Sequence, residues 1–117
     1  MATVPLTEAA FDETIAGRPI VLVDVTASWC PPCRRFAPIF AKASEDHPDL
    51  LFATLDADGE RELARRLKIR AVPTLLVYQG GVLVHRRSGA VRAAKLDRLI
   101  AALHRHDSVD DDAAPVE

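Results

Sequence analysis

The sequence has few of the features that mark disulfide-rich, membrane or secreted proteins. Only two of its 117 residues are cysteine, which is too few for a disulfide scaffold. No apolar run approaches the roughly 20 residues of a membrane span, and residues 1–5 lack the basic and apolar regions of a secretory signal. With 49% hydrophobic and 27% charged residues, we expect an ordinary globular protein of the reducing cytoplasm, with no membrane partner.

A strong charge of one sign is also absent, since the formal net charge is −2. Of the 17 acidic residues, five fall in residues 107–117, leaving 12 scattered among the 15 basic residues of the remaining chain. This pattern shows no footprint of nucleic-acid binding. We predict a single domain over residues 1–106 and a mobile acidic tail over residues 107–117, with a partner-docking tail as the alternative.

Both cysteines and the sole tryptophan lie in one stretch, Trp29-Cys30-Pro31-Pro32-Cys33. It follows a strand-like run and precedes a helix-like run, and residues three apart in a first helical turn can form a disulfide. The positive end of a helix stabilises a thiolate, the species that attacks disulfides. The spacing predicts a redox-active dithiol in which Cys30 attacks and Cys33, the more buried of the two, resolves the mixed disulfide.

The two prolines between the cysteines are expected to tune this dithiol. Pro32 fits the first helical turn, where no N–H is needed. Pro31 also lacks an N–H, which leaves the N–H of Cys33 as the main donor to the Cys30 sulfur within the motif. We therefore predict a stiff loop with few hydrogen bonds to the thiolate.

Two other readings of the cysteine pair stay open at this point. Cysteines with this spacing form half of many zinc sites, but such a site needs two more ligands. No third cysteine exists, and we expect no ligand pair in a folded segment from the four histidines, His47, His85, His104 and His106. The two cysteines would otherwise be inert core residues. We predict no metal site and no bound cofactor.

The hydrophobic pattern predicts an α/β protein. Helices are expected over residues 8–16, 32–46, 58–67 and 91–105, and strands over residues 20–26, 50–55, 73–78 and 82–87, with a further short strand at residues 3–6 giving a fifth. Crossover helices imply parallel pairing of the early strands, and Gln79-Gly80-Gly81 predicts an antiparallel hairpin. The expected fold is a central mixed sheet of four to five strands with helices on both faces.

The chain resembles the thioredoxin family from about Thr7 to Arg105. The resemblance rests on several separate stretches: Val23-Asp24, Ala27-Ser28-Trp29-Cys30-Pro31-Pro32-Cys33, Ala37-Pro38, Ile69-Arg70-Ala71-Val72-Pro73-Thr74, Gly80-Gly81 and Gly89. It implies a thioredoxin fold and a thiol–disulfide oxidoreductase that works as a monomer. The implied partners are protein disulfide substrates and an NADPH-dependent thioredoxin reductase.

The resemblance also implies a role for each site residue. Cys30 and Cys33 would be the attacking and resolving thiols, and Asp24, a carboxylate in an apolar strand, would exchange protons with Cys33 at a pKa raised by burial. Pro73 would follow a cis peptide bond, and Val72 would offer its backbone to an extended substrate. The implied substrate-binding residues are Trp29, Pro31, Val72, Pro73, Gly89 and Ala90.

Three positions depart from the family pattern. Pro31 replaces a usual glycine, and Thr26 stands where many members have an aromatic residue. Thr54 occupies a position where many have a lysine near the buried aspartate. Without that cation, Asp24 is expected to titrate higher than in relatives.

The leading functional hypothesis is therefore a general protein disulfide reductase. The Pro31-Pro32 pair leaves open a disulfide oxidase, an isomerase or a reductant dedicated to one partner. A non-redox binding or assembly module with the same fold is the third hypothesis.

Overall fold

The computed structural model describes residues 2–105, which form five strands and four helices. The strands are β1 (Thr3–Pro5), β2 (Ile20–Thr26), β3 (Leu51–Asp56), β4 (Thr74–Gln79) and β5 (Val82–Ser88). The helices are α1 (Phe11–Ala16), α2 (Pro31–Asp46), α3 (Arg61–Arg66) and α4 (Ala93–His104). The predicted acidic tail at residues 107–117 lies outside the described residues.

The strands form one mixed sheet in the order β1-β3-β2-β4-β5, which confirms the predicted α/β architecture. The β1–β3 and β2–β3 pairs are parallel, and the β2–β4 and β4–β5 pairs are antiparallel. The short strand expected near the N-terminus is present as β1. Strand β2 lies at the centre of the sheet, so any side chain it carries is covered by helices on one face or the other.

Successive residues of β2 supply two separate cores, because strand side chains alternate between the faces of a sheet. Leu22 packs with Phe36 and Phe40 of α2 and with Ile100 of α4. Val21, Val23 and Val25 pack on the opposite face with residues of α1 and α3. By this alternation Asp24 lies on the same face as Leu22, beneath α2.

Three helices are shorter than the sequence pattern predicts. At α1, the residues before Phe11 form turns in which the backbone N–H of Ala10 donates to the Oγ1 and carbonyl oxygen of Thr7, both at 3.2 Å. At α3, the segment 57–60 is a turn in which the N–H of Asp58 donates to Asp56 Oδ1 at 3.1 Å. Side-chain acceptors of this kind compete with the first helical turn. Helix α4 begins at Ala93 instead of residue 91, and Val91 remains buried ahead of it.

The hairpin between β4 and β5 is closed by two glycines, as predicted. Gly80 and Gly81 have φ angles of 61° and 83°, the left-handed region at both central positions of a tight turn. Other residues are strained there, so the Gly-Gly pair fixes the hairpin. No helix within the described part of the chain is long and apolar enough to cross a membrane.

Candidate redox site

The dithiol lies where β2 gives way to α2. Cys30 is the N-cap of α2 in an extended conformation, and Cys33 follows in the first turn. The two are joined by a disulfide, with their Cα atoms 5.2 Å apart. The backbone N–H of Cys33 donates to the Cys30 Sγ at 3.2 Å. This is the donor that the sequence predicts, because Pro31 and Pro32 have no N–H to offer.

Both sulfurs are shielded from solvent. Cys30 and Cys33 are each 2% exposed as residues, so the expectation that Cys33 would be the more buried is wrong. The physical reason is a cover over Cys30 that the local sequence does not show. Ala27 and Val72 pack against the pair, and the carbonyl oxygen of Val72 lies 3.6 Å from the Cys30 Sγ.

The segment that lies over Cys30 is the loop ahead of β4, which is hydrogen-bonded to the residue after β5. The Val72–Pro73 peptide bond is cis, the geometry implied by the resemblance, and Pro73 is buried while Val72 is half-buried. The carbonyl oxygen of Pro73 accepts a hydrogen bond from the N–H of Gly89 at 2.8 Å. Gly89 has a φ of 96° and, like Ala90, is exposed. The structure therefore links Gly89 to the Val72–Pro73 segment that lies against the disulfide, with Ala90 next in the chain.

Trp29 directly precedes Cys30 and has an exposed side chain. It is 64% exposed, the largest exposure of any large hydrophobic residue in the described chain. Its indole Nε1 donates to Asp58 Oδ2 at 2.7 Å, which holds the ring in place. The sequence pattern predicts Asp58 as the first residue of a helix and so does not indicate its contact with Trp29. The sequence hints at this contact only through acidic residues in a turn directly after a strand.

An open groove of about 690 Å³ runs along the surface from Trp29. The residues that line it include the apolar Ile69 and Val72 and the basic Arg61 and Arg70. In the sequence these arginines are part of the scattered charge, and only the structure shows that Arg61 and Arg70 line a groove that begins at the residue before Cys30.

Asp24 is a buried carboxylate with an unusual environment. It is 2% exposed, and its Oδ1 has no hydrogen-bond partner among the described residues. Loss of hydration disfavours the charged form, and burial raises the pKa of Asp24 from 3.8 to about 7. Thr54 of β3 pairs with Asp24 of β2 in the parallel register, so a threonine and not a lysine stands beside Asp24 at this position. The raised pKa places the Asp24 proton within reach of exchange at neutral pH.

Two of the four histidines, His47 and His104, lie close together at the ends of α2 and α4. His47 follows the last residue of α2, and His104 is the last residue of α4, yet their rings lie 5.5 Å apart between centroids. His104 Nε2 donates to Asp49 Oδ2 at 2.8 Å, which lowers the pKa of Asp49. The two rings come close because α2 and α4 pack side by side and their C-terminal ends meet, a contact between residues 57 positions apart in the chain. This cluster is separated from the dithiol by the length of α2, about 24 Å for 16 residues.

Known proteins resemble this chain over almost its whole length. The family model described as Thioredoxin matches residues 2–102. Thioredoxin-1 of Saccharomyces cerevisiae is 39% identical over 102 residues, which cover 87% of this chain and 98% of that protein. A bifunctional thioredoxin reductase/thioredoxin of Mycobacterium leprae is 39% identical over 98 residues, which cover 82% of this chain and 21% of that protein.

A solved structure shows the same arrangement of elements. The thioredoxin of Plasmodium falciparum superimposes with a TM-score of 0.78 at 33% sequence identity, covering 84% of this chain and 96% of that one. The match in fold thus agrees with the match in sequence. With a Cys30–Cys33 disulfide at the start of α2, the chain belongs to the thioredoxin family of thiol–disulfide oxidoreductases.

Proposed function

We propose that this thiol–disulfide oxidoreductase works as a general protein disulfide reductase through Cys30 and Cys33. The observation that carries the proposal is the Cys30–Cys33 disulfide at the N-terminus of α2, with a donor N–H aimed at the Cys30 sulfur. A helix N-terminus and this hydrogen bond both favour the thiolate over the thiol at Cys30. Cys30 is therefore the attacking residue, and Cys33 is the resolving one.

The reaction proceeds in two exchanges. The Cys30 thiolate attacks one sulfur of a substrate disulfide, a mixed disulfide forms, and the other substrate sulfur leaves as a thiolate. The Cys33 thiolate then attacks the Cys30 sulfur, the remaining substrate sulfur leaves, and the Cys30–Cys33 disulfide forms. Two electrons pass from the protein dithiol to the substrate, which takes up two protons from solvent as its thiols form.

Asp24 supports the second exchange by moving a proton. Cys33 must lose its proton before it attacks, and its surroundings are apolar. Asp24 lies beneath α2 on the sheet face that this helix covers, and its pKa of about 7 suits it to accept a proton near neutral pH. The transfer runs through solvent that enters when the dithiol is reduced.

The substrate docks over the dithiol as an extended segment. The half-buried Val72 precedes a buried proline and does not belong to β4, which leaves its backbone available to pair with a substrate strand. Trp29, Pro31, Gly89 and Ala90 are all exposed around it and form the contact surface. Such a site recognises the backbone next to a substrate disulfide and few side chains, as a general reductase requires.

We also propose an electron donor and a cellular location for the protein. The Mycobacterium leprae relative carries a thioredoxin reductase and a thioredoxin in one chain, which supports an NADPH-dependent thioredoxin reductase as the source of electrons here. We place the protein in the cytoplasm, as a monomeric single domain with no bound cofactor.

The proposal is tested by coupling the protein to a bacterial thioredoxin reductase, NADPH and insulin, and by following NADPH oxidation. We expect NADPH oxidation only when the protein, the reductase, NADPH and insulin are all present. The control variant Lys42→Ala should give the same rate, since Lys42 forms an exposed ion pair with Asp46 on α2. If insulin is reduced with dithiothreitol but not with the reductase, the proposed partner is wrong. If neither reductant supports insulin reduction, the reductase function itself is wrong.

A further inference from the structure

Three side chains meet at the end of the molecule remote from the dithiol. His47, half-buried, follows the last residue of α2, Asp49 lies two residues on, and His104 is the last residue of α4. Each offers one ligand atom, and the three atoms all lie within 4.8 Å of one another. The side chains of Asp49 and His104 are 60% and 40% exposed, so the cluster opens to solvent.

The donor set is that of a transition-metal site. Imidazole nitrogen and carboxylate oxygen bind Zn²⁺ at roughly 2.0–2.2 Å, which places neighbouring donors about 3.3 Å apart in a tetrahedral site. The observed spacing, with 2.8 Å between His104 Nε2 and Asp49 Oδ2, needs only small side-chain movements to reach that arrangement. Three protein ligands leave the fourth position to water, as in many open zinc sites.

The surrounding backbone favours a cation at the same place. Helices α2 and α4 pack through a shared core that includes Phe40 and Ile100, and their C-terminal ends come together at the two histidines. The C-terminus of a helix carries a partial negative charge, so two such ends add to the charge of Asp49. Arg18 donates a hydrogen bond to the main-chain oxygen of Asp49 at 3.4 Å, and the Asp49 carboxylate itself contacts His104, a fellow member of the cluster.

We propose that His47, Asp49 and His104 form a surface site for a divalent transition-metal ion such as Zn²⁺. The metal takes the place of the hydrogen bond between His104 and Asp49, since imidazole binds a metal through a nitrogen that carries no proton. This inference goes beyond the redox function and does not depend on it, because the cysteines lie at the opposite end of α2. A metal held there ties the ends of α2 and α4 together and stabilises the folded state over the unfolded one.

The test is calorimetric titration of Zn²⁺ into the full, metal-stripped chain in its oxidised form, where no thiolate competes for the metal. We expect one Zn²⁺ per chain and a rise in Tm with added Zn²⁺. His104→Ala and His47→Ala should each weaken binding by more than the roughly tenfold that loss of an outer-sphere partner costs. His85→Ala, which removes a histidine outside the cluster, should bind as the unchanged protein does.

Backbone amide NMR spectra check both folding and location. Each variant must keep the dispersed spectrum of the unchanged protein, and Zn²⁺ must shift the signals of His47, Asp49 and His104 and their neighbours. His104 is the decisive position because its exposed side chain can be removed with little effect on packing. The proposal is overturned if one equivalent of Zn²⁺ does not bind, or if His104→Ala binds it as tightly as the unchanged protein does.

Discussion

Replacing Cys30 by serine should reduce catalysed disulfide reduction to the uncatalysed background. A serine hydroxyl stays protonated near neutral pH and cannot form a disulfide with the substrate or with Cys33, so both exchange steps are lost. The measurement is dithiothreitol-driven reduction of insulin, followed by the precipitation of its free chains. The fold should be unaffected, because the substitution exchanges one small side chain for another at the N-cap of α2, where serine is favoured.

Cys33→Ser is the matched variant, because it removes the other sulfur of the same pair. It should attack substrate once and then stop, since nothing resolves the mixed disulfide. Intact mass spectrometry should therefore find a stable adduct between this variant and a disulfide peptide, and no adduct with Cys30→Ser. The reverse result, with an adduct only on Cys30→Ser, would show that Cys33 is the attacking residue and that the assigned roles are wrong.

Asp24→Asn should make the folded protein more stable at alkaline pH. Burial raises the pKa of Asp24 from 3.8 to about 7, and each pKa unit corresponds to about 1.4 kcal/mol. The ionised carboxylate thus lowers the free energy of unfolding by up to roughly 4 kcal/mol above the folded-state pKa. Asparagine keeps the shape and removes the charge, so the variant escapes this penalty.

The size of this stabilisation by Asp24→Asn depends on pH in a defined way. Below 3.8 the carboxyl group is protonated in both folded and unfolded chains, and the unchanged protein has its full stability. As the pH rises toward about 7, the unfolded chain releases its proton first and the folded state loses stability. Urea unfolding of the oxidised protein across this range should show a difference between the two proteins that is absent at the acid end and largest above neutrality.

Two further variants isolate the charge as the cause. Asp97→Asn changes an exposed aspartate on α4 and should have little effect on unfolding at any pH. Thr54→Lys places a cation beside Asp24 in the parallel β2–β3 pair and should lower the pKa of Asp24, whereas Thr54→Met should not. A stability gain in Asp24→Asn that is the same at acid and alkaline pH would mean that packing, and not burial of charge, sets the cost of this residue.

The parts of the site that could be predicted from sequence are those made by neighbours in the chain. Cys30 and Cys33 share the first turn of α2, so their pairing and the hydrogen bond from the Cys33 N–H follow from spacing and helix geometry. The apolar run around Asp24 predicts a buried strand, and the resemblance implies that the carboxylate is buried with it, as it is. The resemblance to known proteins added the cis Val72–Pro73 bond, which composition and periodicity alone do not indicate.

The parts that could not be predicted depend on contacts between distant segments. Asp58 reaches Trp29 only because the turn after β3 folds beside the start of α2. Cys30 is as buried as Cys33 because Val72, 42 residues away along the chain, covers it. His47 and His104 meet only through the packing of two helices. Periodicity assigns each element a buried face but does not state which elements share that face or where their ends meet.

The reduction potential of the Cys30–Cys33 pair tests the central claim most directly. The protein is equilibrated in graded glutathione buffers, free thiols are alkylated, and the adducts are counted by intact mass. A protein disulfide reductase requires a potential below that of the cytosolic glutathione pool, so we predict that the pair stays largely reduced at the pool's ratio of thiol to disulfide. A potential clearly above that of the pool would contradict the account and would instead indicate an oxidase or isomerase tuned by Pro31 and Pro32.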